Sequence, residues 1–117
     1  LSALKSEVAG KRVVMVDDSI VRGTTSGQII SLLREAGAKE VHMRISAPPF
    51  IAPCYFGTDI PNKDRLIACS HTIDEIRQQT GADSLGYLSL KNLHKLAPEA
   101  QCGFCDGCFT EHYPIPV

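Results

Sequence analysis

Apolar and polar positions along the first half of the chain predict a strand, a helix and a second strand. Residues 12–17 form a continuous β-branched apolar run, typical of a strand buried on both faces, as in parallel sheets. Thr24 and Thr25 are suited to cap a helix N-terminus, and Gly37 to the position just beyond its C-terminus. Between them, apolar side chains recur at helical spacing: Ile29, Ile30, Leu33 and Ala36. Residues 40–46 predict the second strand, which completes a right-handed βαβ unit.

Regular patterning stops over residues 47–62 and then resumes. The prolines that interrupt this segment are Pro48, Pro49, Pro53 and Pro61. An irregular stretch of this length in a small domain is usually functional. Thr72 and Glu75 then predict a capping box at the start of a helix, and Gly81 is its expected stop.

The last part of the chain predicts one more strand and one more helix before an irregular tail. Residues 85–88 suit a short strand, and Ser89 caps a helix that Pro98 ends. The alternation of strands and helices favours an α/β fold with a mainly parallel sheet and flanking helices. We therefore divide the chain into a main segment, residues 1–97, and a Cys-rich tail of the same domain, residues 98–117.

The composition is that of a single ordinary globular domain. The chain has 117 residues, of which 44% are hydrophobic and 21% charged. Its net charge of −1 argues against a protein that coats nucleic acid or an anionic membrane. It contains no apolar run of the roughly 18 residues that span a bilayer and no signal-peptide pattern, so we expect a cytoplasmic location. The chain begins with Leu1, and we expect it to be a piece of a longer protein or a processed product.

Two adjacent carboxylates followed by a glycine-containing turn make the most informative stretch, VVMVDDSIVRGTT. A buried parallel strand delivers Asp17 and Asp18 to its carboxyl end, where open α/β sheets bind ligands. The turn then leads into a helix N-terminus, whose free N–H groups attract anions. The combination suits a sugar phosphate. The alternative is purely structural: the acids end the strand and Thr24 caps the helix. The stretch matches neither the Walker nor the Rossmann phosphate-binding pattern.

Five cysteines are the outlier in composition: Cys54, Cys69, Cys102, Cys105 and Cys108. Their odd number is poor evidence for a disulfide framework. The last three form a C-x-x-C-x-x-C run, and this spacing suits zinc or an iron–sulfur cluster. A fourth ligand could come from Cys54, Cys69, His112 or a missing segment. The alternatives are that Cys54 and Cys69 are small core residues, and that the thiols of the run are free or oxidised.

The acid pair and its turn resemble the phosphoribosyl-pyrophosphate (PRPP) signature of type I phosphoribosyltransferases. The wording of residues 17–25, DDSIVRGTT, is more narrowly similar to the amidophosphoribosyltransferase family. Further matching stretches are SAPP through PCYFG at 46–57, IACSHTIDEI at 67–76 and CDGCFT at 105–110. The resemblance implies a phosphoribosyltransferase-like parallel sheet, here an incomplete one, with an irregular Cys-rich tail.

The resemblance also implies which residues bind the substrate. Asp17 and Asp18 would hold the ribose diol and the Mg²⁺ of the Mg²⁺–PRPP complex. The following residues would cradle the 5′-phosphate: Ser19, Ile20, Val21, Arg22, Gly23, Thr24 and Thr25. Purine nucleotides would bind the same pocket as feedback inhibitors. No residue of this chain is expected to be catalytic by itself.

The family's reaction is the displacement of pyrophosphate from PRPP by ammonia, which gives 5-phosphoribosylamine and opens purine biosynthesis. Ammonia comes from glutamine through a glutaminase domain whose N-terminal cysteine nucleophile this chain lacks. The resemblance also implies a homotetramer at full length. We therefore expect this chain alone to bind PRPP or nucleotide weakly and to make no phosphoribosylamine.

For the cysteines, the resemblance points to the iron–sulfur members of the family. They hold a structural 4Fe–4S cluster with thiolates that correspond to Cys54, Cys105 and Cys108. The fourth ligand of the family lies upstream of this chain, and Cys102 becomes a bystander that could substitute for it. Glu111 stands where glycine is usual, a departure from the family's pattern in the turn after Cys108.

Two other functions remain open at this point. One is another PRPP-dependent transferase, such as a salvage enzyme, although such enzymes do not need the PCYFG loop or the Cys-rich tail. The other is a small metal-binding or redox module, which would leave Asp17 and Asp18 without a role.

Overall fold

The computed structural model describes residues 5–60 and 62–117. Residues 1–4, which open the predicted main segment, and Pro61, one of the four interrupting prolines, lie outside the described residues.

A parallel sheet of three strands, ordered β1-β2-β3, forms the centre of the described fold. The strands are β1 (Arg12–Asp17), β2 (Glu40–Ile45) and β3 (Ser84–Tyr87). All six residues of β1 pair with β2, from Arg12 beside Glu40 to Asp17 beside Ile45. The predicted parallel α/β sheet with flanking helices is thereby confirmed, with β3 one residue earlier than predicted.

Short helices connect and flank the strands. They are α1 (Lys5–Val8), α2 (Thr24–Glu35), α3 (Ile67–Ser70), α4 (Ile73–Thr80), α5 (Leu90–Leu93) and α6 (Gly107–Thr110), with a 3-10 turn at Lys63–Arg65. The predicted capping box of α4 is confirmed, since the Glu75 N–H donates to Thr72 Oγ1 at 3.2 Å and the Thr72 N–H donates to Glu75 Oε1. Gly81 ends α4 with a φ of 82°, as its position predicted.

The last predicted helix is shorter than its sequence suggested. Ser89 caps α5 through the Asn92 N–H at 3.2 Å, as predicted, but the helix ends at Leu93 and does not continue to Pro98. Beyond it, Lys95 donates to the carbonyl of Asn92, which is the tighter three-residue bonding of a terminal turn.

The hydrophobic core lies between the sheet and helices α2 and α4. Its fully buried members include Ile30 of α2, Val41 and Met43 of β2, and Ile76 of α4. The central strand β2 supplies much of this core because it has a neighbour on both sides. Asp83, just before β3, accepts the Val41 N–H at 2.7 Å and a hydrogen bond from the Arg34 guanidinium at 3.0 Å. These contacts tie α2 and the central strand to β3.

The prediction that β1 is buried on both faces is wrong. Val14 and Val16 have 62% and 72% of their surface exposed, whereas Met15 on the opposite face packs against the core. In the described residues β1 lies at the edge of the sheet, and the core helices cover one face only. No helix in the described part of the chain is both long and apolar enough to cross a membrane.

Candidate functional site

One cavity gathers all the residues that the sequence predicts for sugar-phosphate binding. It has a volume of about 570 Å³ and lies where β1 ends and the chain turns into α2. We call it the Asp17 cavity. Its lining consists of Asp17, Asp18, Ser19, Ile20, Val21, Arg22, Gly23, Thr24, Thr25, Ser26 and Asp59.

Sequence reasoning missed two of these residues, Ser26 and Asp59. Ser26 lies in the first turn of α2, so extending the predicted helix N-terminus by one residue would have found it. Asp59 belongs to the segment 47–62, whose sequence has no periodicity to indicate where it folds back. Ile60, next to it, is buried in a second hydrophobic cluster with Phe50, and this anchors the segment near the cavity.

The two adjacent acids are held by local hydrogen bonds. Asp17 Oδ1 accepts the backbone N–H of Asp18 at 2.8 Å, and Asp18 Oδ1 accepts the Ser19 hydroxyl at 2.9 Å. The Ser46 N–H donates to the Asp17 carbonyl at 3.0 Å, which fixes the end of β1 against the chain leaving β2. No ion pair between described residues occupies either carboxylate. Their negative charge therefore remains available to a cation or to hydroxyl donors.

The turn after the acids is fixed at both ends. Ile20 is 3% exposed and belongs to the main core, and the Val21 carbonyl accepts the Ile67 N–H at 2.9 Å. Gly23 has a φ of 82°, a left-handed conformation that side chains other than glycine's disfavour. These contacts attach the turn to the main core and to α3.

The predicted capping of α2 by Thr24 and Thr25 is wrong. Gly23 occupies the N-cap position, no side chain caps the helix there, and both threonines lie inside the first helical turn. The purely structural alternative for Thr24 therefore fails. The first backbone bond of the helix joins the Gly27 N–H to the Gly23 carbonyl, so the preceding N–H groups have no intrahelical acceptor. Such N–H groups at the positive end of a helix are suited to bind an anion.

A second group of functional side chains, the thiol corner, consists of Cys54, Cys105 and Cys108. The Cys108 carbonyl accepts the N–H groups of Ile51 and Ala52 at 2.9 and 3.1 Å, so the tail is bonded to the loop that carries Cys54. Phe50 and Phe109 stack beside it with ring centroids 5.1 Å apart. Two segments far apart in sequence are thus joined at the thiol corner.

Cys54 and Cys108 both pack against the second hydrophobic cluster. Burial raises the pKa of Cys108, and the neighbouring Cys54 and Cys105 raise it further. Hydrogen bonding from the Phe56 N–H, 3.4 Å from Cys54 Sγ, lowers the pKa of Cys54. The donor chemistry fits an iron–sulfur cluster or zinc, both of which take thiolates. Within residues 5–60 and 62–117, however, no three His, Cys, Asp or Glu side chains converge closely enough to hold an ion.

The other two cysteines, Cys69 and Cys102, lie at the surface. The suggestion that Cys69 is a small core residue is wrong, because it is exposed and its Sγ lies 3.3 Å from the Ile51 carbonyl. Cys102 is exposed as well. The four-residue helix α3 places Cys69 on its outer side, while Leu66 and Ile67 take the buried positions.

Glu111 keeps the turn after α6 despite standing where glycine is usual in the family that the sequence resembles. Its φ of 66° is the one positive value of a non-glycine residue in the described ranges. Its carboxylate pairs with Lys63.

The chain is similar to known proteins over nearly its whole length. No family model matches the chain. Amidophosphoribosyltransferase of Bacillus subtilis (strain 168) is 53% identical over 121 residues, covering 100% of this chain and 25% of that protein. Amidophosphoribosyltransferase 2, chloroplastic, of Arabidopsis thaliana is 56% identical over 115 residues, covering 98% of this chain and 20% of that protein. The solved glutamine PRPP amidotransferase from B. subtilis, complexed with ADP and GMP, superposes with a TM-score of 0.85 at 54% identity, over 97% of this chain and 26% of that one.

The fold is therefore that of the α/β phosphoribosyltransferase class, with the acid pair at a strand end and a turn leading into a helix. Within that class, the whole chain corresponds to one segment of the amidophosphoribosyltransferases, which confirms the resemblance that its motifs indicated. The chain spans about a quarter of the length of the curated relatives it matches.

The left-handed turn at Gly23 gives a direct test of how the cavity is built. We expect Gly23→Ala to lower the free energy of unfolding by about 1–2 kcal/mol, because a left-handed non-glycine residue costs about that much. The added Cβ would also lie 3.0 Å from Ile67 Cδ1. Denaturant unfolding measures the change.

Gly27→Ala is the matched control, because the new Cβ would meet its nearest neighbour at an ordinary 3.8 Å inside the helix. We expect Gly27→Ala to leave stability unchanged or to raise it, since alanine is the better helix former. Equal losses in both variants would contradict the role given to Gly23.

Proposed function

We propose that this chain is the PRPP-binding part of a glutamine-dependent amidophosphoribosyltransferase, the transferase that makes 5-phosphoribosylamine in the first step of purine biosynthesis. The observation that carries the proposal is the Asp17 cavity, where the nine residues of the signature line one space. The relatives that match 98–100% of this chain are named as this enzyme. A cytoplasmic location remains a prediction, because the Arabidopsis relative is named chloroplastic.

The two ends of the Asp17 cavity would bind different parts of the ligand. The 5′-phosphate would lie on the turn from Ser19 to Thr25, with the free N–H groups of the first turn of α2 and the threonine hydroxyls as donors. The ribose hydroxyls would donate to Asp17 and Asp18, whose carboxylates have no cationic partner among described residues. Because the acids directly precede the turn in the chain, the sugar would lie between the phosphate and the two carboxylates.

Mg²⁺ is the cation that this donor set suits, since it prefers carboxylate and phosphate oxygens. When bound with PRPP, it would neutralise charge on the pyrophosphate leaving group. Asp17 and Asp18 are the residues of this chain that would hold it.

In the proposed reaction, ammonia displaces pyrophosphate at the ribose C1, and this chain's part is to position the ribose and its phosphate. Positive charge develops at C1 as pyrophosphate departs, and the two carboxylates on the same ribose would favour that charge. Glutamine hydrolysis and closure of the site against water belong to chain beyond these residues.

Purine nucleotides, which share the ribose 5-phosphate group, would compete for the same cavity; the B. subtilis structure is complexed with ADP and GMP. At full length we propose a homotetramer.

The geometry favours this function over its rivals. A salvage transferase would explain the cavity but not the bonded thiol corner, and a metal module would explain the thiol corner but not the Asp17 cavity. Both features lie on one chain, and the amidophosphoribosyltransferases account for both.

Replacing both carboxylates tests the binding role. We expect the double variant Asp17→Asn, Asp18→Asn to bind PRPP in the presence of Mg²⁺ at least about tenfold more weakly than the parent chain, a loss of about 1.4 kcal/mol. Isothermal titration calorimetry gives the affinities. Asp64→Asn is the matched control, because this exposed acid lies in the 3-10 turn and outside the cavity lining. Unchanged affinity in the double variant would refute the assignment.

Measuring turnover tests whether this chain makes phosphoribosylamine by itself. We expect the 117-residue chain, supplied with PRPP, Mg²⁺ and ammonia, to release no pyrophosphate above the uncatalysed rate. The reason is that the parts that close the site are not recognisable in its sequence. Sustained pyrophosphate release that disappears in the double aspartate variant would overturn this expectation while supporting the cavity.

We also propose that the thiol corner holds a structural 4Fe–4S cluster through Cys54, Cys105 and Cys108. The support is that Cys54 and Cys108 pack against the same hydrophobic cluster, on two segments already joined by backbone hydrogen bonds. A fourth thiolate would come from Cys102 or from chain beyond these residues. Such a cluster would stabilise the attachment of the tail and take no part in the transfer reaction.

Anaerobic reconstitution with iron and sulfide tests this second proposal. We expect Cys54→Ser and Cys108→Ser to abolish the visible absorbance and the bound sulfide of a reconstituted cluster, because each removes one thiolate ligand. Cys69→Ser is the matched control, since Cys69 is exposed and is not one of the three proposed ligands. Zinc without sulfide in the purified chain, or equal loss in the Cys69 variant, would contradict the iron–sulfur assignment.

A further inference from the structure

Four polar side chains form a hydrogen-bonded network on the outer face of the sheet, opposite the core. They are Glu40, His42 and Arg44 of β2 and Ser84 of β3. His42 Nδ1 lies 2.7 Å from Ser84 Oγ, and His42 Nε2 lies 2.8 Å from Glu40 Oε2. Arg44 Nη1 donates to Ser84 Oγ at 2.9 Å. This face therefore carries a hydroxyl, an imidazole and a carboxylate in hydrogen-bond contact.

The chemistry of the four groups fixes the direction of their hydrogen bonds. A guanidinium can only donate, and an ionised carboxylate can only accept. Arg44 therefore donates to Ser84 Oγ, and the Ser84 proton is free to donate to His42 Nδ1. In the neutral imidazole, Nε2 then carries the ring proton and donates it to Glu40. In this arrangement a histidine can accept the proton of an attacking serine while a carboxylate orients the ring.

The backbone of the neighbouring strand leaves room for Arg44 to lie beside the serine. A Cβ added at Gly86 would meet Arg44 Cδ at 3.1 Å, so the arginine stem runs close along β3. Its Nη1 also donates to the Met43 carbonyl at 2.8 Å. A guanidinium held next to Ser84 Oγ would stabilise the negative charge that develops on a carbonyl oxygen when the serine attacks.

Solvent reaches the network, and apolar side chains lie next to it. The side chains of His42 and Glu40 are 28% and 36% exposed. Val14 pairs with His42 and Val16 with Arg44 in the register of β1 and β2, so both exposed valines lie on the same face. An apolar group bound to the serine would find contacts on these valines.

We propose that Ser84 is a nucleophile for acyl transfer from small esters of apolar acids, with His42 as its base and Glu40 as the residue that orients the base. Ser84 Oγ bonds to the ester carbonyl carbon and its proton passes to His42. The ester C–O bond breaks, and the alcohol leaves with that proton. Water then attacks the acyl-serine, which releases the acid and restores the hydroxyl. This activity is separate from binding in the Asp17 cavity.

Labelling with a fluorophosphonate probe tests the nucleophile, because the attacking serine oxygen displaces fluoride from phosphorus. Peptide mass spectrometry gives the rate at each serine. Ser70 is the internal control: its Oγ lies 2.8 Å from His71 Nδ1, but within residues 5–60 and 62–117 no carboxylate pairs with that histidine. We expect Ser84 to be labelled at least about tenfold faster than Ser70, although Ser70 is the more exposed of the two.

Two conservative variants test the base and the orienting residue. We expect His42→Gln to slow the labelling of Ser84 about a hundredfold and Glu40→Gln to slow it about tenfold. Ser70 should keep its rate in both, which also shows that the variants remain folded. His71→Gln is the matched control and should leave the labelling of Ser84 as in the parent chain.

Hydrolysis of p-nitrophenyl esters is the second readout. We expect the parent chain to hydrolyse the butyrate roughly threefold faster than the acetate, because the longer acyl chain can contact the valines. Ser84→Ala should abolish this hydrolysis. The double variant Val14→Thr, Val16→Thr should lose the preference for butyrate and keep the labelling rate of Ser84.

Each alternative result removes a defined part of the proposal. Equal labelling of Ser84 and Ser70, or unchanged labelling of Ser84 in His42→Gln, would refute the activated nucleophile. Fast labelling of Ser84 combined with ester hydrolysis that survives in Ser84→Ala would refute acyl transfer from small esters as its reaction.

Discussion

Parallel pairing of β1 with β2 places Asp17 beside Ile45, at the edge of the sheet where both strands end. The same pairing is extended by the hydrogen bond from the Ser46 N–H to the Asp17 carbonyl. Because both strands run in one direction, the chain must cross back through α2, and this crossing sets the start of α2 next to the acids. The Asp17 cavity lies between the end of β1 and the start of this crossing helix. Its carboxylates come from the strand, and its anion-binding N–H groups come from the helix.

Local patterns predicted the elements on which this arrangement depends. The apolar run and the acids at its end predicted the bounds of β1, residues 12–17. The capping box at Thr72 and Glu75 formed as its spacing indicated. Gly37 ends α2 as expected, with its N–H bonded to the Arg34 carbonyl. Each of these features depends on neighbours within a few residues, so a sequence carries it directly.

The features that were wrong or missed depend on distant contacts. Burial of Val14 and Val16 is decided by what covers the outer face of the sheet, and a strand's own sequence does not contain that information. Asp59 reaches the Asp17 cavity only through the folding of an aperiodic segment. Thr24 has the residue type of a helix cap, yet the left-handed Gly23 begins the helix one position earlier.

The segment from 47 to 60 contributes to both regions, since it carries Cys54 of the thiol corner and Asp59 of the Asp17 cavity. Its own support is the small cluster around Phe50 and Leu66, which is separate from the main core. The two regions therefore share one foundation even though their chemistries differ.

The open outer face of β1 has a consequence for handling the chain in solution. Burying one valine side chain is worth about 1.5 kcal/mol. Exposure of Val14 and Val16 to water therefore carries a sizeable free-energy cost at one edge of the sheet. With a net charge of only −1, long-range repulsion does little to keep copies apart. Self-association through this exposed apolar surface is therefore the expected behaviour of the chain at high concentration.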